Sequence, residues 1–458
     1  MAKWSCSGRT FLFCAGMVLV YSHITSPRLQ YICSFIFKEL MGADVFITID
    51  SEEFRNHTGP KVNYSDTKID GAEFRIDGHR SILFDEIIIQ QEIICFDSNG
   101  TKAFFRTHDS DLPFDIFAAS FYLITRYEEY LPHKKDMYGR YAHENALAFK
   151  EHFLQVPLIN MWVKEFTDKL KQKFSTFNPQ CPTFNAQLTY DIDIAYSYKH
   201  KGVLRNAGGF LKSPSTERIK VLTGAAPDPF DSYTWLDELH QRYDLKPLYF
   251  FLVAQRNGQY DKNILPHKNA MWKLVQQHAK KYAIGLHPSW QSGDDPALLK
   301  KEKEQLEAMA GQDDSGGRSA FSGLNNLTSS RQHYIRFNLP AGYNRLIETG
   351  ITNDYSMGYG SINGFRASVA SPFYWYNLEK EEQTTLRVHP FCFMDANSFY
   401  EQKQTKEQTM EELKHYRSVC KEVNGVLCSI WHNNFLGTAK EFEGWRELYE
   451  EFITLVRQ

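Results

Sequence analysis

The stretch Leu188-Thr189-Tyr190-Asp191-Ile192-Asp193-Ile194 alternates apolar and polar side chains. Leu188, Tyr190 and Ile192 share one face of a period-two pattern; Thr189, Asp191 and Asp193 share the other. The pattern predicts a strand that ends in two carboxylates on one face. Two such acids repel each other unless a cation or a shared proton lies between them. The plain alternative is a strand end running into solvent, with both acids hydrated.

From residue 183 onward strands alternate with helices. Strand-like runs fall at 187–193, 248–253, 283–287, 333–337, 363–367, 386–392 and 426–431. Helical spacing of apolar residues falls at 235–243, 269–282, 297–310 and 406–423. Alternation of this kind predicts a mostly parallel α/β sheet or barrel. The connection 195–234, punctuated by Gly and Pro, reads as an extended loop, and loops of that length inside a domain usually carry function.

Residues 17–175 read as a separate α+β unit. Strands are expected at 18–21, 43–49, 81–84 and 86–96, and helices at 114–131 and 158–174. No chemical motif stands out there; Asp109, Asp111 and Asp115 suit a loop and a helix start. Residues 176–182, with two prolines, read as a linker to a second domain at 183–458. Residues 1–16 read as an extension outside the fold. The apolar run 11–20 has signal-peptide length, but no small-x-small cleavage site follows it, and it is too short to span a bilayer.

Composition narrows the picture. A chain of 458 residues suits two domains. A net charge of -3 without a clustered basic excess argues against a nucleic-acid partner. The 34 Phe and 25 Tyr supply cores and sugar-stacking surfaces. Eight scattered cysteines without a C-x-x-C pair fit reduced thiols in the cytoplasm better than a disulfide framework. Export is the alternative if residues 1–25 act as a signal. Oligomeric state is not legible.

Polar residues recur at the expected strand ends: Asp191 and Asp193, His287, His333 near the start of its run, Arg366, Asp395 beyond His389, and His432. In parallel α/β barrels these ends gather at one mouth. Aspartates and histidines gathered there are what a mononuclear zinc-type hydrolase needs as ligands, base and acid.

Thr189-Tyr190-Asp191-Ile192-Asp193, Gly285-Leu286-His287-Pro288-Ser289, Gly364-Phe365-Arg366 and Trp431-His432-Asn433 resemble, in order, motifs of the polysaccharide deacetylases of carbohydrate esterase family 4, the NodB-homology group. The whole chain also resembles a group of Bacteroidetes proteins that place an uncharacterised domain before such a deacetylase domain. The resemblance implies a distorted seven-stranded (β/α) barrel and a metal-dependent de-N-acetylase of an N-acetylated sugar or polysaccharide. It implies Asp191 as general base, Asp193 and His287 as ligands of a divalent ion, most simply zinc, Arg366 as the holder of Asp191, and His432 as general acid. Asp395 and Trp431 are expected to bind substrate.

One departure matters. The family's second motif is H-x-x-x-H, and four residues after His287 this chain has Gln291. His333, His389 and His415 are the candidates for the missing ligand. His333 is preferred because its strand follows that of His287, and sequential strands are usually neighbours. A non-catalytic carbohydrate-binding protein, or a hydrolase of a non-sugar amide, are the alternatives.

Overall fold

The computed structural model describes residues 17–78, 80–311 and 327–457. The expected extension 1–16 lies outside the described residues. The chain divides into two compact units, one drawn from Met1–Tyr122 and Ile159–Pro182, the other from Leu123–Leu158 and Thr183–Gln458.

In the first unit four short parallel strands, β1 (Val18–Tyr21), β2 (Val45–Thr48), β3 (Lys61–Asn63) and β4 (Phe74–Arg75), lie in the order β2-β1-β3-β4. The run Val-Leu-Val-Tyr of β1 is buried throughout, as a central parallel strand requires. The helix Pro27–Ser34 starts at Ser26, whose hydroxyl accepts the Leu29 N–H, with Pro27 at its first position. The expected strands at 81–84 and 86–96 do not form. Arg80–Phe84 is helical, and Ile87 and Ile94 are 71% and 73% exposed, so the apolar run that follows buries no face. A hairpin the apolar pattern does not announce joins β5 (Phe96–Ser98) to β6 (Thr101–Ala103). Its turn is Asn99-Gly100, both at positive φ (48° and 78°), the conformation that Asn-Gly favours between antiparallel strands.

The second unit is a mixed α/β domain. Its strands are β7 (Asn185–Ile192), β8 (Leu248–Leu252), β9 (Ala283–His287), β10 (Ser329–Ser330), β11 (Asn353–Asp354), β12 (Phe373–Asn377), β13 (Glu382–Val388), β14 (Phe393–Met394) and β15 (Val426–His432). They form one sheet in the order β12-β13-β11-β10-β9-β8-β7-β15-β14, parallel except for the β12–β13 hairpin. Among the described residues nine strands stand where seven were expected. The helices at Tyr233–Arg242, Asn269–Ala279, Pro296–Gly311 and Lys406–Glu422 fall where apolar spacing places them.

Three expectations fail for local reasons. No strand forms at 333–337: β10 ends at Ser330, and Tyr334 and Ile335 sit at φ 59° and 54°, which no strand permits. No strand forms at 363–367, where Gly364 at φ 141° turns the chain. The helix expected over 114–131 stops at Ile124, and Arg126 at φ 55° turns the chain into a short 3-10 segment at Tyr127–Tyr130. The connection 195–234 folds into two helices, Val203–Lys212 and Thr216–Leu222.

Among the described residues no helix is long and apolar enough to cross a membrane. Among the described residues Cys33, Cys181, Cys392, Cys420 and Cys428 are free thiols.

Candidate functional site

Parallel pairing brings the C-terminal ends of the strands to one edge of the sheet. Asp191 on β7 pairs in register with His432 on β15, and Leu252 on β8 with His287 on β9. Asp193 follows β7 directly, and Arg331 and His333 follow β10. A cleft of about 490 Å³ opens there, lined by Asp191, Asp193, His287, His333 and His432 among others.

Asp193 is the hub. Its Oδ1 lies 3.0 Å from His287 Nε2, and its Oδ2 lies 3.4 Å from His333 Nε2 and 3.5 Å from His432 Nε2. One donor atom from each of Asp193, His287 and His333 falls within 4.8 Å of the others. Burial alone would raise the Asp193 carboxyl, but the His333 and His287 imidazoles outweigh it and hold the group well below the usual carboxylate range.

Each imidazole is fixed from behind. His287 Nδ1 donates to the Arg331 carbonyl at 2.6 Å. His333 Nδ1 donates to Asp261 Oδ1 at 3.0 Å. A ring whose Nδ1 carries the hydrogen presents the Nε2 lone pair to a ligand. Asp193 Oδ1 is buried and makes no hydrogen bond, despite a histidine nitrogen at 3.0 Å. An orphaned carboxylate oxygen between two outward-facing imidazole nitrogens fits a divalent ion. The mixed oxygen and nitrogen donor set suits zinc and its borderline neighbours. Without an ion, burial lowers the His333 pKa, while Asp193 and Asp261 overcome that and bring it to about 9.

Gln291, standing where a second histidine was expected, reaches this site through an intermediary. Its Nε2 donates to Asp261 Oδ2 at 3.0 Å, and the Trp290 N–H donates to Asp261 Oδ1 at 2.9 Å. Asp261 thus holds His333 in place of a ligand at 291. Of the other candidates, His389 stacks on Tyr355 and contacts Asn353, while His415 is exposed and contacts the Gln155 carbonyl. Neither joins the cluster.

Asp191 is 2% exposed, and Arg331 Nη1 donates to its Oδ1 at 2.8 Å. The expectation that Arg366 holds Asp191 is therefore corrected. Arg366 is turned to Glu129, with Nε and Nη2 donating to its two oxygens at 2.9 and 2.7 Å. Arg126 Nε donates to the same carboxylate at 2.8 Å. Burial raises the Glu129 pKa, but Arg366 and Arg126 pull it down to about 2. The Asp191 carboxylate cannot compete with a wholly buried acid already gripped on both oxygens.

His432 Nδ1 donates to Asp395 Oδ1 at 2.6 Å, and the His432 N–H donates to Asp395 Oδ2 at 2.7 Å. Burial would lower the imidazole pKa; Asp395 foremost overcomes it and lifts it to about 10. Both Asp395 oxygens are thereby committed and the residue is fully buried, so it positions His432 and does not meet substrate as expected. Trp431 is corrected likewise. Successive strand residues face opposite sides, so His432 looks into the cleft while Trp431 packs inward, 4.6 Å from Tyr449 and 5.5 Å from Phe452 between ring centres.

Arg331, Asp261 and Glu129 escaped sequence reasoning. Arg331 had a signal, since it sits two residues before His333 and an extended chain puts both on one face. Glu129 lies in the charged segment 126–130 at the end of the helix expected over 114–131, and it is 4% exposed.

Comparisons with known proteins add little beyond this geometry. Residues 18–175 match the model of a family of unknown function, DUF7033. No curated protein matches the sequence. Among solved structures, one described as a "putative polysaccharide deacetylase" from Mycobacterium smegmatis is 14% identical, with a TM-score of 0.39, over 60% of this chain and 84% of that one. A likeness that distant carries no argument for function.

Proposed function

We propose that the chain is a metal-dependent hydrolase that removes N-acetyl groups from an N-acetylated sugar or polysaccharide, on a distorted β/α barrel of the polysaccharide-deacetylase type. The observation that carries this reading is the convergence of Asp193, His287 and His333 within 4.8 Å, in a cleft that also holds Asp191 and His432. A divalent ion bound there would polarise the acyl carbonyl and lower the pKa of an attacking water.

The remaining work falls to side chains. Asp191, its charge braced by Arg331, accepts the proton of the attacking water. His432, kept cationic by Asp395, delivers a proton to the departing nitrogen. The amide C–N bond breaks, and acetate and a free amine leave. Tyr138, Tyr334, Tyr400 and Phe435 line the cleft around this polar centre, supplying apolar faces of the kind that pack against a sugar ring.

The test is acetate release from protein reconstituted with zinc, screened across N-acetylated sugars, their oligomers and small non-sugar amides. Metal-dependent release from N-acetylated sugars is expected. Release from the amides alone would reassign the substrate, and no release from any substrate by protein carrying stoichiometric metal would overturn the catalytic reading.

A further inference from the structure

The second unit carries an exposed apolar surface that the chemistry of the cleft does not use. The helices Val203–Lys212 and Thr216–Leu222 form a hairpin that follows closely on Asp193. Its geometry is fixed. Asp228 accepts the backbone N–H groups of Ser197, Tyr198 and Lys199 at 2.7–2.9 Å. Ser215 caps the second helix, and Arg218 crosses the first, donating to the Asn206 carbonyl at 3.1 Å with its guanidinium over the Tyr198 ring. A Cβ on Gly209 would meet that guanidinium at 2.6 Å, so glycine there permits the crossing.

Such a braced hairpin would ordinarily bury its apolar side chains. Here Val203, Leu204 and Leu211 are 84–90% exposed, and Ile219 and Leu222 about half exposed. Between the two helices lies an open groove of about 650 Å³ whose apolar walls include Val203, Phe210, Ile219 and Leu222. Charge accompanies the apolar surface. Residues 199–222 hold Lys199, Lys201, Arg205, Lys212, Arg218 and Lys220 against the single acid Glu217, in a chain whose net charge is -3. Exposed leucines among cations are the composition of an element that lies on an anionic bilayer, its apolar residues entering the headgroup layer and its cations meeting the phosphates.

A second exposed projection contacts the loop that the hairpin touches. Arg205 donates to the Lys262 carbonyl at 3.0 Å, tying the hairpin to the loop that carries Asp261. On that loop Tyr260 meets Tyr138, with ring centres 6.1 Å apart. Tyr138 belongs to a turn whose neighbouring Met137 is 86% exposed, beside the exposed Lys134 and Lys135. Two cationic elements tipped with exposed apolar side chains thus flank one loop at the rim of the cleft.

We propose that this face docks on an anionic lipid bilayer. The docking stands independently of the chemistry assigned to the cleft. Full-length protein is mixed with sucrose-loaded vesicles of phosphatidylcholine alone, or of phosphatidylcholine with phosphatidylglycerol, and sedimented. Wild type is expected in the pellet only with phosphatidylglycerol, with less bound as salt is raised. Leu204→Asp combined with Leu211→Asp removes the apolar anchors without touching the core, and is expected to abolish pelleting at an unchanged melting temperature. Lys212→Glu with Lys220→Glu should weaken partitioning by about twentyfold or more, at about fivefold for each cation lost. Absence of wild-type protein from both pellets, equal binding to both vesicle types, or variants that pellet like wild type would overturn the proposal. So would a wild-type dimer that fails to bind vesicles and that Leu211→Asp converts to a monomer, since a second copy would then cover the face.

Discussion

Replacing Glu129 by glutamine separates the arginine of the framework, Arg366, from the one that braces Asp191, Arg331. In the native structure the Glu129 carboxylate takes two hydrogen bonds from Arg366 and one from Arg126, and all three side chains are at most 2% exposed. Glu129→Gln keeps the volume but leaves the buried Arg366 guanidinium without its counter-charge, while Arg126 keeps Glu128 at 2.8 Å. Breaking a buried pair in this way costs about 3–5 kcal/mol. The pKa gives a second measure. A carboxyl displaced from its ordinary 4.5 to about 2 is stabilised by about 3 kcal/mol in its charged form. The two figures agree to order of magnitude. Because the folded pKa is depressed, the contribution is complete above the unfolded value near 4.5 and is lost as pH falls through about 2. Calorimetry at neutral pH should show the melting transition of the second unit lowered by about 5 °C or more in the variant. Acidification from pH 5 to pH 2 should destabilise wild type more than the variant, narrowing the gap. Turnover per folded molecule should survive, because Glu129 does not line the cleft. A variant as stable as wild type, or one fully folded yet inactive, would refute the assignment of Glu129 and Arg366 to the framework.

The other expectations concern the cleft. Asp193→Asn should lose metal in equilibrium dialysis while Asp191→Asn keeps it and loses turnover; equal metal loss in both would end that division of roles. Asp261→Asn, which touches His333 and no expected ligand atom, should weaken metal binding by about 10–100-fold, and unchanged affinity by calorimetric titration would show that His333 needs no such support. His432→Ala should keep fold and metal and lower kcat by about 10²–10⁴-fold, with unchanged kcat removing it from the reaction.

Sequence periodicity located the long elements well, because a helix such as Lys406–Glu422 or a strand such as β15 buries one face along its whole length. It failed for β10, β11 and β14, two residues each, which are held by neighbours on the sheet and not by any pattern of their own. It also failed at 86–96, where apolar residues cluster without being buried.

The site was legible to the same degree and for a related reason. Residues on the ends of long strands, Asp191, Asp193, His287 and His432, stand where alternation puts them. One partner was foreseen and one was misjudged, and the two departures from the expected motifs have one cause. His333, preferred from the sequence for the place where Gln291 stands, joins Asp193 and His287, whereas the guanidinium expected from Arg366 is supplied by Arg331. Both replacements come from the residues just after β10, the strand next to β9 in the sheet. Spacing along one strand fixes where a group emerges, but the cleft is reached from several strand ends at once. A ligand or counter-charge can therefore pass from one strand end to a neighbour without moving the point at which the groups meet. The Arg331 that takes over at Asp191 leaves Arg366 without a counter-charge at the cleft, and the buried Glu129 supplies one in the framework. Restoring a histidine at 291 alone should then add no ligand, because Asp261 already accepts the Gln291 amide at that place.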